Sequence, residues 1–271
     1  MLAVAVAGLT AFVVWELRTA VPMVPLELFR DRNFSGGSLS LVLVQIANGG
    51  LILALTQYLQ FVLGYSPTKA GLALAPMAIA VIFVNGIGAT LGQKIGNRPM
   101  TVVGLIGLAG GFWVMSTLSA DDGFGMVTIA LAVFGVGAGL AQPAATAALM
   151  GSVPHEHAGV GSALNDTVQQ AGAALGIAIL GSALASNFTG RMPEGTPEAA
   201  RGSIGEALAV AASTGDNALA ELAKTTFANA MSGTFVASAI AVLGASVIAF
   251  ALIRDKKKPA DTTTEILVST L

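Results

Sequence analysis

Residues 124–150 read FGMVTIALAVFGVGAGLAQPAATAALM, without one charged side chain among them. A helix rises about 1.5 Å per residue, so roughly 20 apolar residues cross a hydrocarbon core of about 30 Å. This stretch is long enough to do so, and it lacks the polar face that a water-exposed helix requires. Five further stretches share its character: Gly36–Val62, Lys69–Leu91, Met100–Leu118, Gly159–Ala185 and Ala230–Ile253. A shorter apolar run, Leu2–Trp15, is followed directly by Glu16 and Arg18. No basic residue precedes it, which counts against a signal peptide. The other reading is a span that lacks its first turns, which makes the chain the C-terminal part of something longer.

Composition points the same way. Of 271 residues, 10% are charged and 54% hydrophobic, whereas a soluble domain is about a quarter charged; the mean hydropathy is +0.78. A net charge of −2 supplies no basic surface for nucleic acid. The absence of cysteine excludes a disulfide scaffold, a thiol nucleophile and a cysteine metal site. His155-Glu156-His157 lacks the second His four residues after the first that a zinc-protease helix needs, and it reads as a solvated loop. No Gly-x-Ser-x-Gly, Walker or dinucleotide fingerprint stands in a strand-to-helix context. The expected fold is an all-α polytopic membrane helical bundle with six full transmembrane helices and one truncated N-terminal helix. An enzyme is not expected, nor a cofactor.

Lys and Arg concentrate in cytoplasmic loops. With the C-terminal tail inside, Arg18, Arg30, Arg32, Lys94, Arg98, Arg254, Lys256, Lys257 and Lys258 fall inside, and Lys69, Arg191, Arg201 and Lys224 outside. The chain then divides into a truncated helix (1–17), a cytoplasmic linker (18–35), transmembrane helices two to six (36–185), an outer-face loop (186–229), the last transmembrane helix (230–254) and a cytoplasmic tail (255–271). Within the loop, Glu198–Ala212 and Asn217–Ala230 read as amphipathic helices lying on the outer face.

A carboxylate at the centre of a membrane helix costs about 3 kcal/mol, so its presence needs a reason. Asp166 is the one charged residue well inside a span, among Asn165, Thr167, Gln169 and Gln170. Residues four apart share a helix face, so Asp166 stacks on Gln170 with Asn165 and Gln169 beside them. The stripe either lines an aqueous cavity, where Asp166 binds a cationic substrate or carries a proton, or packs against a neighbouring helix. Gln45, Asn48, Gln57, Gln60, Asn85 and Gln142 are the neutral polar residues of the other spans. Each is either a helix-to-helix hydrogen bond or a ligand. Gln45 and Asn48 beside Gly49-Gly50 predict a flexible, polar turn of helix at mid-membrane, where transporters place substrate sites. Gly107 with Gly111, Gly135 with Gly139 and Gly172 with Gly176 have the spacing that lets helix backbones touch. Pro76 and Pro143 predict kinks.

Several of these segments resemble the major facilitator superfamily, in particular the C-terminal half of fourteen-span drug:proton antiporters of the QacA/EmrB type. Pro25-Leu26-Glu27-Leu28-Phe29-Arg30-Asp31-Arg32-Asn33-Phe34 is similar to that family's P-L-x-L-F-R-x-R-x-F entry to its ninth span. Tyr65-Ser66-Pro67, Ala70-Gly71-Leu72 and Pro76 resemble Y-S-P-x-x-A-G-L-x-x-x-P, and residues 165–176 resemble N-x-x-x-x-Q-x-G-G-x-L-G of the thirteenth span. Leu91-Gly92-Gln93-Lys94-Ile95-Gly96-Asn97-Arg98 resembles the superfamily's basic loop, with Gln93 for the customary Asp and Ala89 for the leading Gly. Gln169 stands where many members carry Arg.

The resemblance implies proton-driven export of small amphipathic or cationic compounds by alternating access, with the proton gradient as energy source. The cavity would be served by Asp166, Gln170, Gln169, Asn165, Gln45, Asn48 and Gln57, and the inner gate by Lys94, Gly96 and Arg98. The expected location is the cell membrane, multi-pass, with the C-terminus cytoplasmic. Expected partners are the lipid bilayer, a small-molecule substrate, and the missing N-terminal bundle or a second copy; no nucleic acid is expected. A half-size transporter working as a homodimer or with a separate N-terminal half, and a non-transporting membrane scaffold or regulator, are the alternatives.

Overall fold

Long apolar stretches without helix-breaking pairs become helices, and the helices begin where a side chain can hold their free N–H groups. In the computed structural model, which describes residues 2–19, 26–119 and 123–254, Asp31 accepts hydrogen bonds from the backbone of Asn33 (2.8 Å) and Phe34 (3.0 Å). Together they start α2, Arg32–Gln57, which runs on through a wider turn, Tyr58–Val62. Before it lies α1, Leu2–Arg18. Ser66, with Pro67 at the first helical position, starts α3, Pro67–Ala73. There follow α4 (Ala75–Ile95), α5 (Asn97–Ser116), α6 (Phe124–Met150) and α7 (Ala158–Arg191). Ser203 caps α8, Ile204–Thr214, and Asp216 caps α9, Asn217–Leu252. Six of these segments are long and apolar enough to cross a membrane, with α3 and α4 forming one of them. Pro25 of the quoted motif and the basic tail 255–271 lie outside the described residues.

Three local expectations are corrected. Asn217–Ala230 is not a separate surface helix but the first part of α9, because nothing in NALAELAKTTFANA breaks the helix before the apolar run begins. Its neighbour Glu198–Ala212 is divided into a single turn, Glu198–Ala200, and α8, since Gly202 and the capping Ser203 intervene. The Gly49-Gly50 segment is uninterrupted helix. A Cβ at Gly49 would stand 2.6 Å from the Ala173 carbonyl oxygen, and one at Gly50 would run into Leu180, so these glycines serve close packing rather than flexibility. The two prolines act differently. Pro76 has no N–H for the Leu72 carbonyl, and the chain turns at Leu74 between α3 and α4. Pro143 lies inside an uninterrupted α6.

Lipid tails are as apolar as leucine, so membrane helices associate through close packing rather than through exclusion of water. All three glycine pairs lie where this requires them. Gly172 and Gly176 of α7 abut Val42 and Ile46 of α2, the two helices running parallel. Gly135 and Gly139 of α6 meet Met77 and Val84 of α4, again in parallel, while Gly107 and Gly111 of α5 meet Gly137 and Phe134 of α6 antiparallel. Phe112 joins the α5, α6 and α9 surfaces, its ring centroid 5.3 Å from Phe134 and 5.4 Å from Phe235, all three rings buried. By contrast, 11% of the most apolar part of the α3/α4 span is buried, and Ile79, Ile82, Phe83 and Ile87 are exposed. That helix offers most of its surface to lipid or to another protein.

A side chain at Gly176 would meet the Ile46 carbonyl, whereas one at Gly86 meets nothing within 4 Å. Gly176→Val is therefore expected to cost about 1–3 kcal/mol through overpacking and to lower the thermal midpoint and the monodisperse fraction of detergent-purified protein in gel filtration. Gly86→Ala is expected to leave both unchanged or slightly raised.

Candidate functional site

The parallel α2–α7 seam sets the site. Because Gly172 has no side chain, Gln45 can lie against α7: a Cβ on Gly172 would be 2.9 Å from the Gln45 Cβ. One turn earlier on α7 stands Gln169, whose Oε1 accepts from Gln142 Nε2 of α6 at 3.2 Å and, more weakly, from Gln45 Nε2 at 3.5 Å. One amide from each of three helices thus meets at a single oxygen. All three side chains are half-buried. Gln142 immediately precedes Pro143, whose ring stands beside Gly88 of α4, so the same turn of α6 also sets the α4 contact.

Asp166 and Gln170 are exposed, on the open side of α7, and Asn165 is half-buried between them and the bundle. Asn165 Nδ2 donates to Asp166 Oδ1 at 3.3 Å, while Asn165 Oδ1 is buried without a hydrogen-bond partner. No cation pairs with Asp166 among the described residues. The carboxylate is therefore held by a single neutral neighbour and is open to an incoming cation.

The structure brings Gln45, Asn165, Asp166, Gln169 and Gln170 into one neighbourhood, with Asn48 half-buried one turn further along α2. It does not bring Gln57 there. Twelve residues beyond Gln45, about 18 Å at helical rise, Gln57 instead lines a 250 Å³ cavity with Leu184, Phe188, Ser203 and Phe227. Gln142, which the sequence left open as a helix-to-helix hydrogen bond or a ligand and outside the expected cavity set, makes an interhelical hydrogen bond at this junction; its position just before an intramembrane proline was the available signal.

At the basic end of the bundle, a 430 Å³ cavity is lined by Asn33, Gln93, Lys94, Gly96, Asn97, Gly151 and Arg254. Gly96, at φ 112°, turns the chain from α4 into α5 in a conformation that other residues avoid. The Arg98 guanidinium lies 3.7 Å from the centroid of the Phe250 ring on α9, and Arg254 N donates to Asn33 Oδ1 at 2.6 Å. Lys94 is exposed at the cavity rim. His155–His157 forms a single turn with His155 and Glu156 exposed and His157 half-buried, and no group of three His, Asp or Glu side chains suited to a metal occurs among the described residues.

Gln169→Leu would leave two amide donors without their shared acceptor, at a cost of about 0.6–1.7 kcal/mol for an interhelical hydrogen-bond site. Thermal unfolding in detergent is expected to show a midpoint lowered below that of the parent for Gln169→Leu.

Residues 2–192 match the family model of the Major Facilitator Superfamily. The tetracenomycin C resistance and export protein of Streptomyces glaucescens is 31% identical over 266 residues, which cover 92% of this chain and 49% of that protein. The multidrug efflux pump LfrA of Mycolicibacterium smegmatis is 30% identical over 255 residues, 91% of this chain and 51% of the relative. The multidrug resistance protein Stp of Mycobacterium tuberculosis is 34% identical over 186 residues, 69% and 34% respectively. The chain spans about half the length, or less, of these curated relatives. Six membrane-crossing segments, the glycine-packed helix pairs and the family match over most of the sequence agree: the chain belongs to the Major Facilitator Superfamily, a family of multi-pass membrane transporters.

Proposed function

We propose that the chain is the C-terminal bundle, with one preceding helix, of a fourteen-span drug:proton antiporter of the QacA/EmrB type. It exports small amphipathic or cationic compounds by alternating access once its open face is completed by an N-terminal bundle. The observation that carries the reading is the three-helix glutamine junction beside the exposed carboxylate of Asp166. A carboxylate inside a span is costly against acyl chains, so the face of α7 that carries Asp166 and Gln170 borders water or protein. Asp166 receives the cationic group of the substrate or a proton. Gln170, Gln169, Asn165, Gln45 and Asn48 supply neutral donors and acceptors, and apolar walls hold the rest of the molecule. Such a site accepts many amphipathic cations, because one charge and a few adaptable amides set its preference.

The relatives' names support export as the activity: they are described as resistance, export and efflux proteins. Lys94, Gly96 and Arg98 form the gate at the cytoplasmic end, where Arg98 on Phe250 ties the start of α5 to the end of α9. In this orientation the C-terminus is cytoplasmic, while α8 and Lys224 lie outside.

With an N-terminal half supplied by co-expression, Asp166→Asn is expected to reduce proton-driven export of a cationic dye from vesicles about tenfold or more, in line with about 1.5–3 kcal/mol for a charge-assisted contact, at unchanged expression. Unchanged export would remove Asp166 from the mechanism. Activity of the unsupplemented chain, as a second-order function of its concentration, would favour a homodimer. Orientation is read directly, because the chain has no cysteine. Ser213→Cys is expected to react with a membrane-impermeant maleimide in intact cells, and Glu156→Cys only after permeabilisation.

A further inference from the structure

The α7 and α9 helices run antiparallel past each other without closing. Asn187 pairs with Thr234 at one end, Asn187 Nδ2 donating to Thr234 Oγ1 at 3.1 Å. From there a 340 Å³ groove runs between the helices to Ile179 and Val242, floored by Leu43 and Ile46 of α2. Eight residues on each helix separate its ends, about 12 Å at helical rise, close to the depth of one hydrocarbon leaflet of about 15 Å. The rims are Ala183, Ala237 and Ala241. Small side chains there leave a furrow, where larger ones would have filled the gap between the helices. Ala237 and Ala241 are exposed, and so is Ile240 beside them, so the furrow opens outward from the bundle.

The polar end of the groove carries a cation. Arg191 stands one turn beyond Asn187 on the same face of α7, and it is exposed. Its Nη2 lies 3.2 Å from where a Cβ of Gly233 would be, so the guanidinium crosses the bare backbone of α9 next to Thr234. No carboxylate pairs with it among the described residues. An apolar furrow of one-leaflet depth, ending in an amide, a hydroxyl and an uncompensated guanidinium, matches one molecule in both halves.

We propose that the α7–α9 groove binds an anionic phospholipid, one acyl chain lying along Ile179, Ala183, Ala237 and Ala241 and the phosphate on Arg191. Guanidinium pairs with phosphate through two parallel N–H donors, and the acyl chain supplies the packing partners that the walls lack. The apolar end of the groove, at Ile179, lies on the opposite face of α7 from Gln170, and the site does not depend on what the protein exports.

The test uses the full chain in mixed vesicles of equal phosphatidylglycerol and phosphatidylcholine, extracted in mild detergent and examined by native mass spectrometry. The parent protein is expected to retain phosphatidylglycerol over phosphatidylcholine about tenfold. Arg191→Gln should bring that ratio to about one, and Ala237→Leu, which fills the furrow, should reduce retention of both lipids several-fold. Gly233→Val, whose side chain would crowd the guanidinium out of its place while Arg191 itself is kept, should behave as Arg191→Gln. Arg191→Gln alters an exposed side chain and keeps the result readable if Ala237→Leu misfolds in gel filtration. Retention that is equal for both lipids in the parent, or unchanged in Arg191→Gln, overturns the proposal. So does displacement of no lipid by Ala237→Leu accompanied by loss of cationic dye binding, which would make the groove a dye site.

Discussion

Backbone-to-backbone contact along the α2–α7 seam is the constraint on which the rest depends. In lipid, two helices gain little from hiding apolar surface, and what holds them is dispersion summed over atoms in close contact. Such contact is available only where no Cβ intervenes. At Gly172 and Gly176 the α2 main chain, near Val42 and Ile46, comes to the surface of α7 itself. That approach fixes rotation and register together, and register decides which polar groups can meet. A displacement of α7 by one turn would carry Gln169 away from Gln45 and from Gln142, leaving three amides to be satisfied elsewhere.

The junction it creates is neutral. Around a single Oε1 there are two amide donors and no charge, where a guanidinium at position 169 would have brought a positive field into the same space. Asp166 lies one turn away on the open side, bonded to Asn165 and to no cation among the described residues. The negative end of this neighbourhood is therefore uncompensated from within the bundle. Electrostatic attraction is strong where water is scarce, so on the proposed function an N-terminal bundle closing over this exposed carboxylate would favour a cation over a neutral solute of the same shape.

The spans themselves were legible in the sequence, because length and lack of charge are enough to identify a membrane helix. Their ends were less so. Asn217–Ala230 has the charges of a surface helix and the alanines of any helix, and nothing local decides whether it bends at Ala230; the structure continues it straight into α9. The site was legible by face and not by neighbour. Helical periodicity put Asp166 with Gln170 and Gln169 with Asn165, yet periodicity says nothing about which side chain on another helix arrives opposite. Gln142 therefore went unassigned to the site. Gln57 was drawn in because it shares α2 with Gln45, although three turns separate them and it ends near Phe188 and Phe227. Gly49-Gly50 was read as flexible, whereas a glycine pair serves close approach equally well, and only the position of Ala173 and Leu180 decides for packing.

The same contacts limit how the bundle can move. α9 is tied to α2 at the basic end by Arg254 and Asn33 and to α5 there by Arg98 on Phe250. Toward the opposite end, Ser232 Oγ donates to the Ser116 carbonyl at 2.5 Å, Tyr58 OH donates to the Ser119 carbonyl at 2.6 Å, and Asn187 meets Thr234. Polar ties at both ends, and glycine contacts between them, make relative sliding of these helices expensive, since packed interfaces occupy discrete arrangements rather than deforming smoothly. The α3/α4 span packs on α6 through Gly135 and Gly139, but among the described residues it has no such polar tie, and it buries little of itself. On the export function proposed above, passage of a solute calls for motion between this unit and whatever covers the faces of α4 and α7, with the glutamine junction carried along as part of a rigid wall.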